Sequence, residues 1–125
     1  MHYLATVSFT LATLFSAAVQ AQSSTLLQDY TPVSLSELQD PPASDWLMWR
    51  RTANHWGYSP LDQIDRSNVD SLRLAWAWTM EPGLQETTPL VHDGVMFLAQ
   101  ACDFIEAVDA TDGSLLWEYR RPTVD

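Results

Sequence analysis

The sequence predicts an all-β fold, and the strongest sign of it is a pair of tight hairpins in the last third of the chain. His92-Asp93-Gly94 separates the apolar runs TTPLV and VMFLAQ, and Thr111-Asp112-Gly113 separates FIEAVDA from SLLWEYR. An Asp-Gly pair between apolar runs favours a hairpin because both turn residues tolerate a positive φ. A four-stranded antiparallel meander is therefore predicted over residues 87–120.

Such a small meander cannot bury both of its faces alone, so it is expected to be stacked between similar sheets, as the blades of a β-propeller are. The stretch AVDATDGSLLW suits this arrangement. Ala107 leaves room for a close neighbour, and Trp117 can lie over an adjacent blade. Asp109 can hold the backbone amides of the turn, and Gly113 supplies its positive φ. The alternative is an ordinary hairpin that carries an aromatic residue.

A further strand is predicted over residues 72–80, before the meander. Alternation of large with other side chains is typical of a strand. The large residues are Leu72, Leu74, Trp76, Trp78 and Met80. Turn chemistry at Glu81-Pro82-Gly83 ends the strand.

The segment before residue 45 predicts one short helix. Ser34 and Glu37 have the spacing of a capping box, and Pro41-Pro42 prevent the helix from continuing. A disordered spacer over residues 22–44 is the alternative.

Residues 45–60 are irregular and rich in tryptophan, and their large rings need a bigger surface to lie against. The connector over residues 61–72, LDQIDRSNVDSL, predicts a short helical turn. Ser67 is its candidate N-cap.

Residues 1–21 have the pattern of a cleavable export signal, with cleavage near Ala21. Their long apolar centre has no acidic residue and ends in small residues. A membrane anchor is the alternative, but the apolar run is short and a polar stretch follows it, so no stable membrane span is expected. Removing the signal leaves residues 22–125, enough for one small domain.

The chain is acidic, with 16 Asp and Glu against 6 basic residues and a formal net charge of −10. Such a chain repels phosphate backbones, which disfavours nucleic-acid binding. Cys102 is the only cysteine, so no disulfide framework and no CxxC site can form within the sequence. A lone cysteine of this kind is predicted to be buried as a small apolar side chain.

The sequence resembles the quinoprotein alcohol dehydrogenases, the methanol and ethanol dehydrogenases that use pyrroloquinoline quinone (PQQ). AVDATDGSLLW is similar to their tryptophan-docking repeat, and the resemblance extends from about Asp45 to Pro122. WGYSPL and the later Ala75-Trp76 follow the order of the family's N-terminal segment. GLQETTPLVHDGVMFL is similar to the opening of its first full blade.

The resemblance implies an eight-bladed propeller, closed by pairing a strand from near the N-terminus with strands from the C-terminal end. Residues 72–80 would then belong to the last blade and residues 87–120 to the first. Residues 45–125 are accordingly expected to be the start of the propeller, and the chain to be an N-terminal fragment of a protein several hundred residues long.

The resemblance also implies the chemistry. These enzymes oxidise an alcohol to an aldehyde in the periplasm, with PQQ as the acceptor, a Ca²⁺ or lanthanide ion polarising the quinone and an aspartate as base. Electrons then pass to a cytochrome c or to haem c in an attached domain. The metal ligands, the catalytic aspartate and a vicinal cysteine pair are expected outside this sequence.

Glu86 is the one residue to which the resemblance assigns contact with PQQ, because it matches the family glutamate that precedes the first strand at the mouth of the propeller. Its carboxyl can hydrogen-bond the polar edge of the cofactor and help to orient it. Without the family context, an exposed loop glutamate would be the simpler interpretation.

Other candidate residues are given structural roles. Asp93, Asp109 and Asp112 are predicted to bond the backbone of their own turns rather than to act as the base. His55 and His92 have no second metal ligand at helical or hairpin spacing, so surface or hydrogen-bonded roles are expected. The pairs Arg50-Arg51 and Arg120-Arg121 are expected to be surface charges or salt-bridge partners.

Two hypotheses about function remain at this point. The first is a PQQ-dependent alcohol dehydrogenase, of which this chain alone would be inactive. The second is a non-enzymatic propeller of the same repeat type that binds protein partners as a scaffold, because the repeat motif is shared by both. The segments WGYSPL and QETTP favour the enzyme, since they follow the dehydrogenase pattern and not the repeat.

Overall fold

The computed structural model describes residues 25–122, so the predicted export signal over residues 1–21 lies outside the described residues. Two short helices are followed by a 3-10 turn and four strands. The helices are α1 (Thr25–Gln28) and α2 (Leu35–Gln39), and the 3-10 turn is Val69–Ser71. The strands are β1 (Leu90–His92), β2 (Val95–Gln100), β3 (Phe104–Asp109) and β4 (Leu115–Arg120). No helix of the described part is long and apolar enough to cross a bilayer.

The four strands form one antiparallel sheet in the order β1-β2-β3-β4, which confirms the predicted meander. Leu90 pairs with Phe97 across the first hairpin, and the register between β3 and β4 shifts at Ala107/Val108. The first turn places Asp93 at φ 48° and Gly94 at φ 76°, as an Asp-Gly hairpin turn requires. The predicted turn chemistry therefore determines this hairpin.

The second hairpin turn also forms as predicted. The Asp109 carboxylate accepts a hydrogen bond from the Thr111 amide at 2.8 Å, and the Asp112 carboxylate accepts one from the Ser114 amide at 2.8 Å. Gly113 has φ 77°. Both aspartates thus have the local backbone roles that the sequence predicts.

The core of this sheet is small. Its buried apolar residues are Val95, Leu98, Phe104, Ala107 and Val108. Large side chains on the same strands, among them Ile105, Leu115 and Tyr119, remain exposed. The sheet therefore leaves several large apolar side chains in contact with solvent, as expected of one blade that packs between others.

Residues 72–80, predicted to form a strand, join no sheet in the described part of the chain. The strands implied as their partners belong to the C-terminal end of the propeller, so this strand stays a prediction. A strand needs a partner for its backbone hydrogen bonds, and alternation alone supplies none. The alternation is still visible at its centre, where Trp76 and Trp78 are both half-buried while Ala77 between them is exposed.

The predicted capping box is confirmed at α2. The Ser34 hydroxyl accepts from the Glu37 amide, and the Glu37 carboxylate accepts from the Ser34 amide. The predicted N-cap in the connector is wrong. The 3-10 turn Val69–Ser71 has Asn68 at its N-cap position, and the Ser67 hydroxyl instead donates to Asp65.

Burial differs from the predictions at two residues. Cys102 is exposed rather than buried, because it lies in the turn between β2 and β3 at φ 64°. Arg51 is buried rather than at the surface, and its guanidinium donates to the carbonyls of Pro41 and Pro42 at 2.9 and 3.0 Å. The arginine thereby fixes the chain after α2. Arg120 and Arg121 do form the predicted surface salt bridges.

Candidate functional site

The candidate site is the loop over residues 81–88, which connects the unpaired segment to β1. It lies at the edge of the sheet where β2 ends, as its contacts with the last residues of that strand show. Glu86 is in the middle of this loop and is exposed to solvent. Its carboxylate is therefore available to a ligand at this edge.

Three hydrogen bonds hold the loop on both sides of this glutamate. The Glu81 amide donates to Oε1 of Gln100 at 2.6 Å, and Thr87 Oγ1 donates to the Ala99 carbonyl at 2.6 Å. Within the loop, Gln85 Nε2 donates to the Glu81 carbonyl at 2.8 Å. Two of these bonds end on β2, so the rigid sheet determines the shape of the loop.

The loop also requires a glycine where the turn was predicted. Gly83 has φ 149°, and a Cβ at this position would lie 2.5 Å from the Cβ of Ala101. Any other residue would combine an unfavourable backbone conformation with a clash against a side chain that cannot rotate away.

Beneath the loop lies a set of hydrogen-bonded side chains that the sequence did not reveal. The Glu106 carboxylate is 5% exposed, and its Oε2 accepts hydrogen bonds from Trp78 Nε1 at 2.8 Å and from Gln100 Nε2. Because Gln100 also accepts from the Glu81 amide, the four residues form one chain of bonds, called here the Glu106 network. A cleft of about 210 Å³ lies beside it.

One polar atom of the loop lacks a partner. Gln85 Oε1 is buried and has no hydrogen-bond partner among the described residues. An unpaired buried acceptor costs free energy, so a donor from outside this part of the chain is expected there. The neighbouring Glu86 carboxylate is an acceptor as well. Of these two acceptors, the Glu86 carboxylate is the one exposed to a ligand at this edge of the sheet.

A second polar cluster lies at the opposite end of the sheet, around the buried His92. Its Nδ1 is 2.6 Å from Oδ2 of the buried Asp45, and its Nε2 is 2.9 Å from the Thr31 carbonyl oxygen. A carboxylate and a carbonyl can only accept, so the protonated ring, which donates from both nitrogens, suits both partners. The hydrogen-bonded role predicted for this histidine is confirmed.

The charge of the imidazolium agrees with its surroundings. Burial lowers the pKa of His92, but the hydrogen bonds to Asp45 and Thr31 and the nearby carboxylates outweigh it, so the pKa is raised above its ordinary value. The prediction that Asp93 bonds the backbone of its own turn is wrong. Its carboxylate accepts from the amide and hydroxyl of Thr31, 62 residues away, and not from its own turn.

The tryptophan before the loop contacts the far hairpin of the sheet. Trp76 Nε1 donates to the Ala110 carbonyl at 3.2 Å, and the ring lies against Gly113, where a Cβ would be 2.8 Å from Cε3. The repeat AVDATDGSLLW thus accepts a tryptophan from outside itself.

The described residues 25–122 contain no group of three or more His, Cys, Asp or Glu side chains that could hold a metal ion. His55 is exposed, and its ring makes an edge contact with Trp49 at 6.2 Å between centroids.

Known proteins share both the sequence and the shape of this chain. Residues 46–125 match the PQQ family model described as glucose/ethanol/alcohol dehydrogenase, beta-propeller domain. The chain is 44% identical over 93 residues to the dehydrogenase subunit of alcohol dehydrogenase (quinone) from Komagataeibacter europaeus, covering 74% of this chain and 12% of that protein. It is 47% identical over 77 residues to quinohemoprotein alcohol dehydrogenase ADH IIB of Pseudomonas putida, covering 60% of this chain and 11% of that protein.

Among solved structures, the quinohemoprotein alcohol dehydrogenase from Comamonas testosteroni superposes with a TM-score of 0.63 at 30% identity, covering 80% of this chain and 15% of that chain. The chain therefore spans only about an eighth of the length of the curated relatives that it matches. By its matched residues, its sheet and its relatives, the chain belongs to the PQQ β-propeller family of glucose, ethanol and alcohol dehydrogenases.

Proposed function

We propose that this chain is the start of a periplasmic PQQ-dependent alcohol dehydrogenase that oxidises an alcohol to an aldehyde. Membership of the family supports the oxidoreductase activity, and the names of the relatives support an alcohol as substrate. The export pattern of residues 1–21 supports the periplasmic location. The single observation that carries the proposal is the match of residues 46–125 to the PQQ β-propeller family.

We assign Glu86 to the orientation of PQQ. The exposed carboxylate of Glu86 fits a polar edge of the cofactor, because it can accept a hydrogen bond from a donor there. When bound, PQQ accepts the equivalent of a hydride from the alcohol.

The remaining parts of the proposed enzyme lie outside the described residues. The Ca²⁺ or lanthanide ligands and the catalytic aspartate belong to other blades on this proposal. Electrons leave for a cytochrome c or for haem c in an attached domain, which the quinohemoprotein names of two relatives support.

The experiment is an assay of the full-length protein that carries this chain. Dye reduction with primary alcohols is measured after adding PQQ and either Ca²⁺ or a lanthanide. We expect turnover that depends on the cofactor, and we expect Glu86→Ala to weaken PQQ binding and lower turnover. Asp62→Ala, which removes an exposed carboxyl of the connector, serves as the control and should change neither.

Two outcomes would contradict the proposal. Unchanged PQQ affinity and turnover in Glu86→Ala would remove the assignment of that residue. Absence of PQQ binding in a well-folded full-length protein would favour a non-enzymatic propeller that acts as a scaffold.

A further inference from the structure

We propose that the buried Glu106 is a positioning residue that fixes the place of Glu86 through the Glu106 network. The inference rests on the proposed function, since it takes Glu86 as a contact of the cofactor. The observation behind it is a series of hydrogen bonds that connects the interior of the blade to the exposed loop.

The sequence of bonds starts with a group that can only accept. Glu106 is 5% exposed, and one oxygen of its carboxylate receives both the Trp78 indole and the Gln100 amide nitrogen. Because a carboxylate offers no proton, Gln100 must turn its NH₂ group towards it. The carbonyl end of the same amide then points the other way.

That carbonyl end meets the loop. Gln100 Oε1 accepts from the Glu81 amide at 2.6 Å, and the Glu81 carbonyl accepts from Gln85 Nε2 at 2.8 Å. The next residue along the chain is Glu86. The backbone N–H of Glu81 can only donate, so the orientation of the Gln100 amide that Glu106 sets presents the acceptor that the loop needs at this point.

The ion pair of Glu81 at the surface does not account for the position of the loop. The Glu81 carboxylate also pairs with Arg120 at 2.7 Å, but both side chains are substantially exposed. Such pairs contribute little because water and salt screen them. The buried end of the network therefore contributes more to the position of the loop than this ion pair does.

A carboxylate at position 106 is not explained by the stability of the sheet alone. Burying it removes it from water, and an apolar side chain would fill the position without that cost. The residue directly opposite on β4, Glu118, is an exposed glutamate. It provides a matched control, since it has the same side chain and a paired register position but takes no part in the network.

The test uses the full-length protein and two measurements. Amide hydrogen exchange over residues 81–88 of the PQQ-free protein reports the order of the loop. Quenching of tryptophan fluorescence by added PQQ in the presence of Ca²⁺ reports the affinity. The first readout does not depend on the cofactor, so it tests the positioning role even if the role of Glu86 is wrong.

Glu106→Leu keeps the bulk of the side chain but removes the hydrogen-bond acceptor. Because hydrogen bonds to a charged group are lost, we expect roughly tenfold faster amide exchange in the loop and roughly tenfold weaker PQQ binding. Glu106→Gln should restore both values to within about twofold, because a single amide oxygen can receive both donors. Glu118→Leu should also stay within about twofold. A purely space-filling role would spare Glu106→Leu and gain nothing from Glu106→Gln.

If Glu106→Leu does not fold, Gln100→Met replaces it, since this variant cuts the network but leaves Glu106 bonded to Trp78. Normal loop exchange in a folded Glu106→Leu or Gln100→Met protein would overturn the proposal. So would faster exchange with unchanged PQQ affinity, provided that Glu86→Ala weakens PQQ binding. If Glu86→Ala leaves PQQ affinity unchanged, the proposed function of that residue fails instead, and the exchange result alone decides the role of Glu106.

Discussion

The indole of Trp76 lies on Gly113, with its Nε1 bonded to the carbonyl of Ala110 at 3.2 Å. Ala110 and Gly113 belong to the repeat that ends in Trp117. The tryptophan that packs on them, Trp76, lies 37 residues before Gly113 in the chain. A tryptophan outside the repeat thus packs on the glycine inside it. Trp117 ends the repeat and is itself 37% exposed, so it is available to dock in the same way on a following blade.

Gly113→Ala is expected to be strongly destabilising, for two separable reasons. The positive φ of 77° costs an alanine about 1–2 kcal/mol. The new Cβ would also lie 2.8 Å from the ring of Trp76, and overpacking of this kind adds about 1–3 kcal/mol. The free energy of unfolding of the full-length protein, measured by urea denaturation, checks the sum.

Gly94→Ala is the matched control for this prediction. Gly94 has nearly the same φ, 76°, but a Cβ there would be 3.6 Å from Leu26, which is an ordinary contact. It should therefore show the backbone cost without the clash. Equal losses of stability in the two alanine variants would contradict the docking of Trp76 on Gly113.

Local chemistry explains why the hairpins were predictable from the sequence. Asp93-Gly94 and Asp112-Gly113 specify their turns through residues next to each other in the chain, and the capping box at Ser34 works over three residues. The segment over residues 72–80 was not predictable in the same way, because a strand forms only where a partner offers hydrogen bonds. Alternation showed which tryptophans face the sheet but not whether they pair.

The polar clusters could not be predicted because their partners are distant in the chain. Asp45 and His92 are 47 residues apart. The sequence around His92 predicted a hairpin turn and did not indicate a distant carboxylate as its partner. Glu106 is surrounded by apolar strand residues, and nothing near it indicated that Trp78, 28 residues earlier, would satisfy its carboxylate. Glu86 was predicted only because the motif around it resembles a known family.

The His92 cluster is expected to attach the N-terminal segment to the sheet in a pH-dependent way. Because the folded pKa of His92 is raised, its contribution to stability is complete below its ordinary value of 6.5 and is lost as the pH rises through the higher folded pKa. Amide exchange over residues 30–45 of the full-length protein should therefore accelerate on the alkaline side of 6.5, after correction for intrinsic rates. The other titratable groups around the ring are Tyr30, Asp45, Asp93 and, on α2, Glu37.

The contribution of Asp93 to stability depends on pH in the opposite direction. Hydrogen bonds from the hydroxyl and amide of Thr31 lower the pKa of Asp93, so its contribution is present above the ordinary value of 3.8 and is lost as the pH falls through the lower folded pKa. The attachment should be strongest between these two limits. His92→Gln should remove the alkaline step, whereas His55→Gln, which changes an exposed histidine, should keep it. An alkaline step that survives in His92→Gln would assign it to another group.

Gly83 and Ala101 provide a test of how tightly the candidate site is held. Gly83→Ala should displace the loop over residues 81–88, because the new Cβ would meet the Ala101 Cβ at 2.5 Å and neither can rotate away. Ala101→Gly removes the second of these atoms. The double variant should therefore regain the stability that the clash costs, but not the stability that φ 149° costs. The coupling energy is calculated from the unchanged protein, the two single variants and the double variant. It separates the contribution of the Cβ–Cβ contact from that of the backbone conformation at Gly83. Strictly additive losses in stability would mean that the loop does not rest against the turn between β2 and β3, and the hydrogen bonds to β2 would be left to hold it.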